Sequence, residues 1–195
     1  MTFSKIAKKT IRIVIVFTII IGISILGIKW AGKVMYPLEH REYISKYSDK
    51  YNIDPFLVAS IIRVESKFDE EAKSHKGATG LMQITPSTGK WIADIMGIND
   101  YKEEMLYEPE TNISFGCWYV NNLKAQFNGN IKLALAAYNG GSGNVTKWLA
   151  NKEYSSDGLN LDKIPFRETE QYVYRVLKDY KIYRKLYDYE DLYKE

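Results

Sequence analysis

The chain has 195 residues, room for one compact domain plus an appendage but not for two full domains. Its net charge of +3 hides a split: residues 1–35 hold six basic side chains (Lys5, Lys8, Lys9, Arg12, Lys29, Lys33) and no acidic one, which leaves 21 basic against 24 acidic residues for the rest. The basic excess therefore gives no reason to expect nucleic acid, and one cysteine, Cys117, beside two histidines, His40 and His75, excludes an internal disulfide and makes a poor kit for a structural metal site.

From the N-terminus, a basic collar from Lys5 to Arg12 precedes Ile13–Ile28, sixteen residues without a charge. That is slightly short of the ~20 residues that span a bilayer. Snorkelling by Arg12 and Lys29, with Trp30 at the interface, makes up the difference. No small-x-small cleavage site follows, so an uncleaved anchor is favoured over a signal peptide. The heavier positive flank comes first, which predicts residues 1–12 in the cytoplasm, a transmembrane helix over 13–32 and a domain over 36–195 outside the cell membrane.

Within that domain, His40–Tyr51 reads as a helix, with Tyr43, Ile44, Tyr47 and Tyr51 at helical spacing. After the turn at Asn52-Ile53, Asp54-Pro55 is a helix start, a capping carboxylate followed by proline at the first helical position. Asp69–Gly80 reads as a surface loop or short β element, and Leu81–Thr85 as a short apolar stretch stopped by Pro86. Ser87 then caps a helix to about Met96. Pro109 opens another, with Ile113, Cys117, Val120 and Leu123 on one face, where Cys117 is a small buried hydrophobe. Ile131–Tyr138 is a short apolar helix broken at Asn139–Gly143. Asn144–Leu149 is a further short helix, and a polar loop over 151–162 leads to a last helix from about Glu168 to Tyr187. No convincing alternation of apolar and polar residues occurs, so the domain is all-α with at most a minor β element.

Glu65 stands out in this pattern. Its i−3, i−4 and i−7 neighbours are Ile62, Ile61 and Val58, so the carboxylate lies on the stripe the helix buries. Burial disfavours the charged form, and a glutamic acid that keeps its proton near neutral pH suits general acid catalysis. Asp69, Glu70 and Glu71 follow closely but sit in a polar loop and are expected to be solvated. Gln83 places an amide inside an apolar run, where it needs a partner. Tyr138-Asn139 ends an apolar helix against a glycine corner, and Glu168 with Tyr172 starts the last helix. Sixteen tyrosines and four tryptophans are core material or flat faces for sugar rings, and composition does not choose between them.

The ordered set Glu65-Ser66, Gly80-Leu81-Met82-Gln83, Ala137-Tyr138-Asn139 and Tyr172 resembles the soluble-lytic-transglycosylase family of peptidoglycan-cleaving enzymes, whose fold is lysozyme-like and close to goose-type lysozyme. The resemblance covers roughly residues 42–188. It implies that Glu65 is the catalytic acid and then base at the bond between N-acetylmuramic acid and N-acetylglucosamine. It also implies that no second carboxylate, roughly 5 Å away as in other retaining enzymes, is needed: the substrate's C6 hydroxyl attacks and a 1,6-anhydro sugar forms. Ser66 would help order the site, and Met82 and Gln83 would line the glycan groove, with Gln83 donating to the sugar. Tyr138, Asn139 and Tyr172 would hold acid and substrate in place, and Glu168 would contact glycan or peptide. The expected partners are peptidoglycan strands and, through the anchor, the membrane; an envelope-spanning assembly is a role the anchor permits. No cofactor or metal is implied. Hydrolysis of the same bond by a muramidase on the same scaffold, and a non-catalytic wall-binding module, stay open at this point.

Overall fold

The computed structural model describes residues 2–193, and side chains from residue 8 onward; the Lys5 side chain and the extreme ends of the expected segments 1–12 and 36–195 lie outside the described residues. The chain divides into two compact units, one up to Leu38 and one from Glu39. The first is a single helix, α1 (Thr2–Met35). Among the described residues it is the one helix long and apolar enough to cross a membrane, with a candidate span of Lys8–Met35 that holds an 18-residue stretch of mean hydropathy 2.7. At ~1.5 Å per residue, those 28 residues exceed the ~30 Å of a hydrocarbon core. The sixteen uncharged residues are thus the middle of a longer rod. The hydroxyls of Thr18 and Ser24 donate to Ile15 and Ile20 carbonyls of the same helix, so neither seeks a partner elsewhere.

The second unit is helical: α2 (Arg41–Tyr51), α3 (Pro55–Glu65), α4 (Pro86–Met96), α5 (Pro109–Gln126), α6 (Ile131–Gly140), α7 (Ser142–Ala150) and α8 (Arg167–Leu186). Short 3-10 turns occupy Glu103–Tyr107 and Tyr189–Leu192. The minor β element reduces to two isolated bridges, Lys73 with Thr79 and Thr79 with Ile84, and no strand occurs among the described residues.

Helix α3 is the buried axis. Phe56, Leu57, Val58, Ala59, Ser60, Ile61 and Ile62 are each exposed by no more than 1%. A helix apolar on every side needs neighbours on every side; α3 packs on α8 and α2, while α5 and α6 pair with each other and with α2 and α8 respectively. Its start is fixed as expected. Asp54 is extended, and its Oδ1 accepts from the Phe56 N–H at 2.9 Å, with Pro55 at the first helical position. The other oxygen accepts from the hydroxyls of Tyr180 and Tyr189, each at 2.8 Å, which ties the C-terminal segment to the α3 N-terminus. A further latch joins Arg63 to the buried Asp179 at 2.7 Å. Asp54→Ala removes a cap and two charge-assisted bonds at once and is expected to cost about 2–3 kcal/mol in urea unfolding. A loss under about 0.5 kcal/mol would mean that the clamp carries no weight.

The start of α4 corrects the sequence reading. Pro86 does not stop a segment; it occupies the first turn of α4, and Thr85 rather than Ser87 is the cap, accepting from Thr88 N–H at 3.2 Å. The reason is local: a residue before proline is held extended, which is the conformation a cap needs. The break between α6 and α7 is also narrower than Asn139–Gly143. Only Gly141, at φ +86°, leaves helical space between them.

Candidate active site

Glu65 ends α3 on the predicted stripe, below Val58, Ile61 and Ile62, none of which has any exposed surface. The chain must then turn at once. The Ser66 hydroxyl donates to the Ile62 carbonyl at 3.2 Å and accepts from Phe68 N–H at 3.1 Å, while Lys67 and Phe68 adopt left-handed φ of +57° and +68°. Ser66 therefore orders the turn that presents Glu65, and its hydroxyl is spent on backbone rather than offered to a ligand.

The Glu65 pKa is raised from 4.5 to about 7. Burial of the carboxyl is the main cause; the Tyr172 hydroxyl and the Arg175 charge pull it back, and the Glu168 charge pushes it up. The carbonyl end of α3 acts in the same upward sense, since a helix C-terminus disfavours a negative charge. Residues 168, 172 and 175 are at i, i+4 and i+7 of α8, so one face of that helix supplies all three influences. Glu168 itself is solvent-exposed, so the carboxylate that acts on Glu65 is not a second buried one.

Tyr172 is 2% exposed, and its hydroxyl lies beside Glu65 without completing a hydrogen bond of ordinary geometry. Tyr138 stacks parallel to it, with centroids 6.5 Å apart and planes 2° apart. The Tyr138 hydroxyl donates to the Met82 carbonyl at 2.7 Å. Burial, and then the Glu65 charge, push both phenols well above their ordinary pKa, so both remain proton donors at physiological pH.

The loop carrying Met82 and Gln83 is held by Asn112, a residue that the sequence reading did not assign to the site. Its side chain is fully buried. Its Nδ2 donates to the Thr79 and Leu106 carbonyls at 2.9 and 2.7 Å, and its Oδ1 accepts from Met82 N–H at 2.7 Å. The available signal was an amide one turn ahead of Phe115 and Gly116, on the buried side of α5. Gly80 completes the crossing: at φ +73°, a Cβ there would sit 2.3 Å from the Leu106 carbonyl oxygen and 2.4 Å from Asn112 Nδ2.

Two expectations change here. Met82 does not line a groove: its side chain has no exposed surface and packs over Gly116, where a Cβ would meet its Sδ at 2.2 Å. The missing Cβ at Gly116 opens the space that takes the thioether into the core. Gln83 is not a free donor either. Its Nε2 donates to the Ala72 and Gly80 carbonyls, both at 3.0 Å, so the loop itself answers the amide's need for a partner and only Oε1 is left to accept.

Asn139 and Glu168 face a different space, a cleft of about 560 Å³ also lined by Lys76, Asn144, Phe166 and Arg167. The Thr169 hydroxyl donates to Asn139 Oδ1 at 2.8 Å, which turns the Asn139 amide nitrogen outward as a donor. Asp69 and Glu71 are exposed, and Glu70 pairs with His40 at 3.2 Å. Cys117 has no exposed surface, and burial pushes its thiol far up, out of nucleophilic range. Among the described residues, no group of His, Cys, Asp or Glu is placed to hold a metal ion.

A helical domain built on one buried helix, whose last residue is a proton-holding glutamate walled by tyrosines, is the arrangement of a lysozyme-like domain. The chain belongs to the Transglycosylase SLT domain family, whose model matches residues 42–160. It is 38% identical over 144 residues to the "Soluble lytic murein transglycosylase" of Salmonella typhimurium, a match covering 73% of this chain and 22% of the relative. It is 29% identical over 163 residues to the "Membrane-bound lytic murein transglycosylase C" of Sodalis glossinidius, across 73% of this chain and 46% of the relative. The chain thus spans between a fifth and a half of the length of these relatives. Among solved structures, an inactive glutamate-to-glutamine mutant of lytic transglycosylase Slt from Pseudomonas aeruginosa matches with a TM-score of 0.69 and 32% identity, over 82% of this chain and 27% of that one.

Proposed function

We propose that the chain is a membrane-anchored peptidoglycan lytic transglycosylase, with Glu65 as its single acid and base. The observation that carries the reading is the Glu65 carboxyl, held protonated up to about pH 7 beside Tyr138 and Tyr172 while the nearest carboxylate influence, Glu168, is in solvent. In this mechanism Glu65 gives its proton to the glycosidic oxygen between N-acetylmuramic acid and N-acetylglucosamine, and that bond breaks. The resulting carboxylate takes the proton of the muramyl C6 hydroxyl as its oxygen bonds to C1. Glu65 ends as it began, and no water is consumed. Tyr172 would donate to Glu65 in its charged form, and the stack of Tyr138 on Tyr172 and its bond to the Met82 carbonyl support a positioning role for it. Asn139 and Glu168 would meet glycan or stem peptide at the cleft, and Gln83 would accept through Oε1; Ser66 and Met82 support the site from beneath.

The finer topology belongs to the same reading: residues 1–12 in the cytoplasm, 13–32 across the membrane, and 36–195 as the catalytic domain outside. The length and hydropathy of α1 support an anchor, and the charge bias of its flanks supports the orientation.

The test uses the full chain in detergent with purified peptidoglycan, and mass spectrometry of the released muropeptides. Products with 1,6-anhydro ends, lighter by one water than hydrolysis products, are expected. Reducing ends instead would make the enzyme a muramidase. The rate should fall as pH rises through about 7, because Glu65 then loses the proton it must give. A rate that holds level to pH 9 would remove Glu65 from the acid role.

A further inference from the structure

We infer that Trp91, seated on Trp118 and Tyr119, is a stacking platform for a sugar ring of the glycan strand beyond the one held at Glu65. The inference rests on the peptidoglycan-cleaving reading and extends it to a site some way along the same strand. It begins with an anomaly of α4. That helix already has a core face, with Ile92 and Ala93 fully buried, yet Trp91 is 43% exposed and Ile95, one turn on, is 53% exposed. Two large apolar side chains on one turn of a wet face suit a ligand better than they suit water.

The geometry says which ligand. Trp91 meets Trp118 edge-on, with centroids 5.2 Å apart and planes at 72°, and meets Tyr119 at 6.1 Å and 84°. Contacts with two rings restrict the indole's rotamer, and its 43% exposure leaves ring surface open, so little side-chain entropy is lost when something stacks there. The indole is also linked to the active site through ring packing. Tyr119 lies 5.4 Å from Tyr138, and Tyr138 lies 6.5 Å from Tyr172, the tyrosine at Glu65. A row of rings thus leads from the acid to an exposed indole. An extended polymer of pyranose rings presents apolar C–H faces along its length and hydroxyls at its edges, and it matches such a row.

The experiment measures binding of uncross-linked glycan strands to the full chain in detergent, on a Glu65→Gln background so that nothing is cut. Indole emission is followed during the titration. Emission is expected to change on saturation. Trp91→Ala should weaken Kd about tenfold, and Trp91→Phe, which keeps a ring, should recover most of it. On the Glu65-bearing chain, Trp91→Ala should raise KM far more than it lowers kcat. Unchanged emission, or a Trp91→Ala Kd within twofold of the parent, overturns the platform even where 1,6-anhydro products confirm the chemistry. Conversely, a Trp91-dependent Kd in a chain that releases no muropeptides would uphold the platform and sink the catalytic reading. Tyr174→Ala, another exposed aromatic on α8, should leave Kd unmoved; an equal loss there would also overturn the proposal.

Discussion

Glu65→Gln is expected to abolish muropeptide release and, at the same time, to raise the melting temperature of the domain at pH 8 but not at pH 4. The two effects have one cause. The folded chain keeps the Glu65 proton up to about pH 7, whereas the unfolded chain releases it near 4.5. As pH rises between these values, the unfolded state sheds a proton that the folded state retains, and stability falls across that window. Above about pH 7 the penalty is complete and level; below 4.5 it is absent. A shift of this size corresponds to on the order of 3 kcal/mol, and glutamine, neutral at every pH, does not incur it. Allowing for the cost of burying an amide, the gain above pH 7 should be about 2 kcal/mol, or several degrees in Tm. A difference between parent and variant that stays constant from pH 4 to pH 8 would show that Glu65 titrates as a solvated carboxylate. The acid reading would then fail on stability data alone, whatever the assay showed.

The second large effect is expected at Asn112, which touches no ligand in this scheme. Asn112→Ala strands two buried backbone groups, the Met82 N–H and the Leu106 carbonyl, and takes one of two donors from the Thr79 carbonyl, which keeps the Ile84 N–H. A buried unpaired group costs about 1–3 kcal/mol. Some relaxation at the loop surface is expected, so a total on the order of 4 kcal/mol is predicted in urea unfolding. Activity should suffer beyond that. The Tyr138 hydroxyl donates to the carbonyl of Met82, the residue whose N–H bonds Asn112, so a loosened loop misplaces the tyrosine that stacks on Tyr172. Asn112→Asp should not rescue, because a carboxylate cannot donate to two carbonyls. Stability within about 1 kcal/mol of the parent would show that the loop holds itself without Asn112.

These two residues mark how far the sequence could be read. Glu65 was legible because its position is a matter of helical period: three apolar neighbours at i−3, i−4 and i−7 put the carboxylate on the buried stripe, and desolvation does the rest. Asp54-Pro55 was legible for a similar reason, as caps are local chemistry. Pro86 was misread because proline serves both as a stop and as a first-turn residue, and only the extended Thr85 before it decides between them. Met82 and Gln83 were placed in the groove because the family resemblance implies it, but a motif says nothing of the direction its side chains take. The empty space at Gly116 draws Met82 inward, and the left-handed backbone at Gln83, φ +50°, folds its amide back on its own loop. Asn112 escaped notice because its partners are 6, 30 and 33 residues away.

The helical class, the apolar N-terminal rod and the place of Glu65 on the apolar stripe of its helix could thus be read from the chain. Each follows from period and composition, which act over a few turns of chain. Which polar groups remain available to a ligand depended on the fold. The Asn112 and Gln83 amides and the Ser66 and Tyr138 hydroxyls take their partners from backbone that folding alone brings within hydrogen-bond reach.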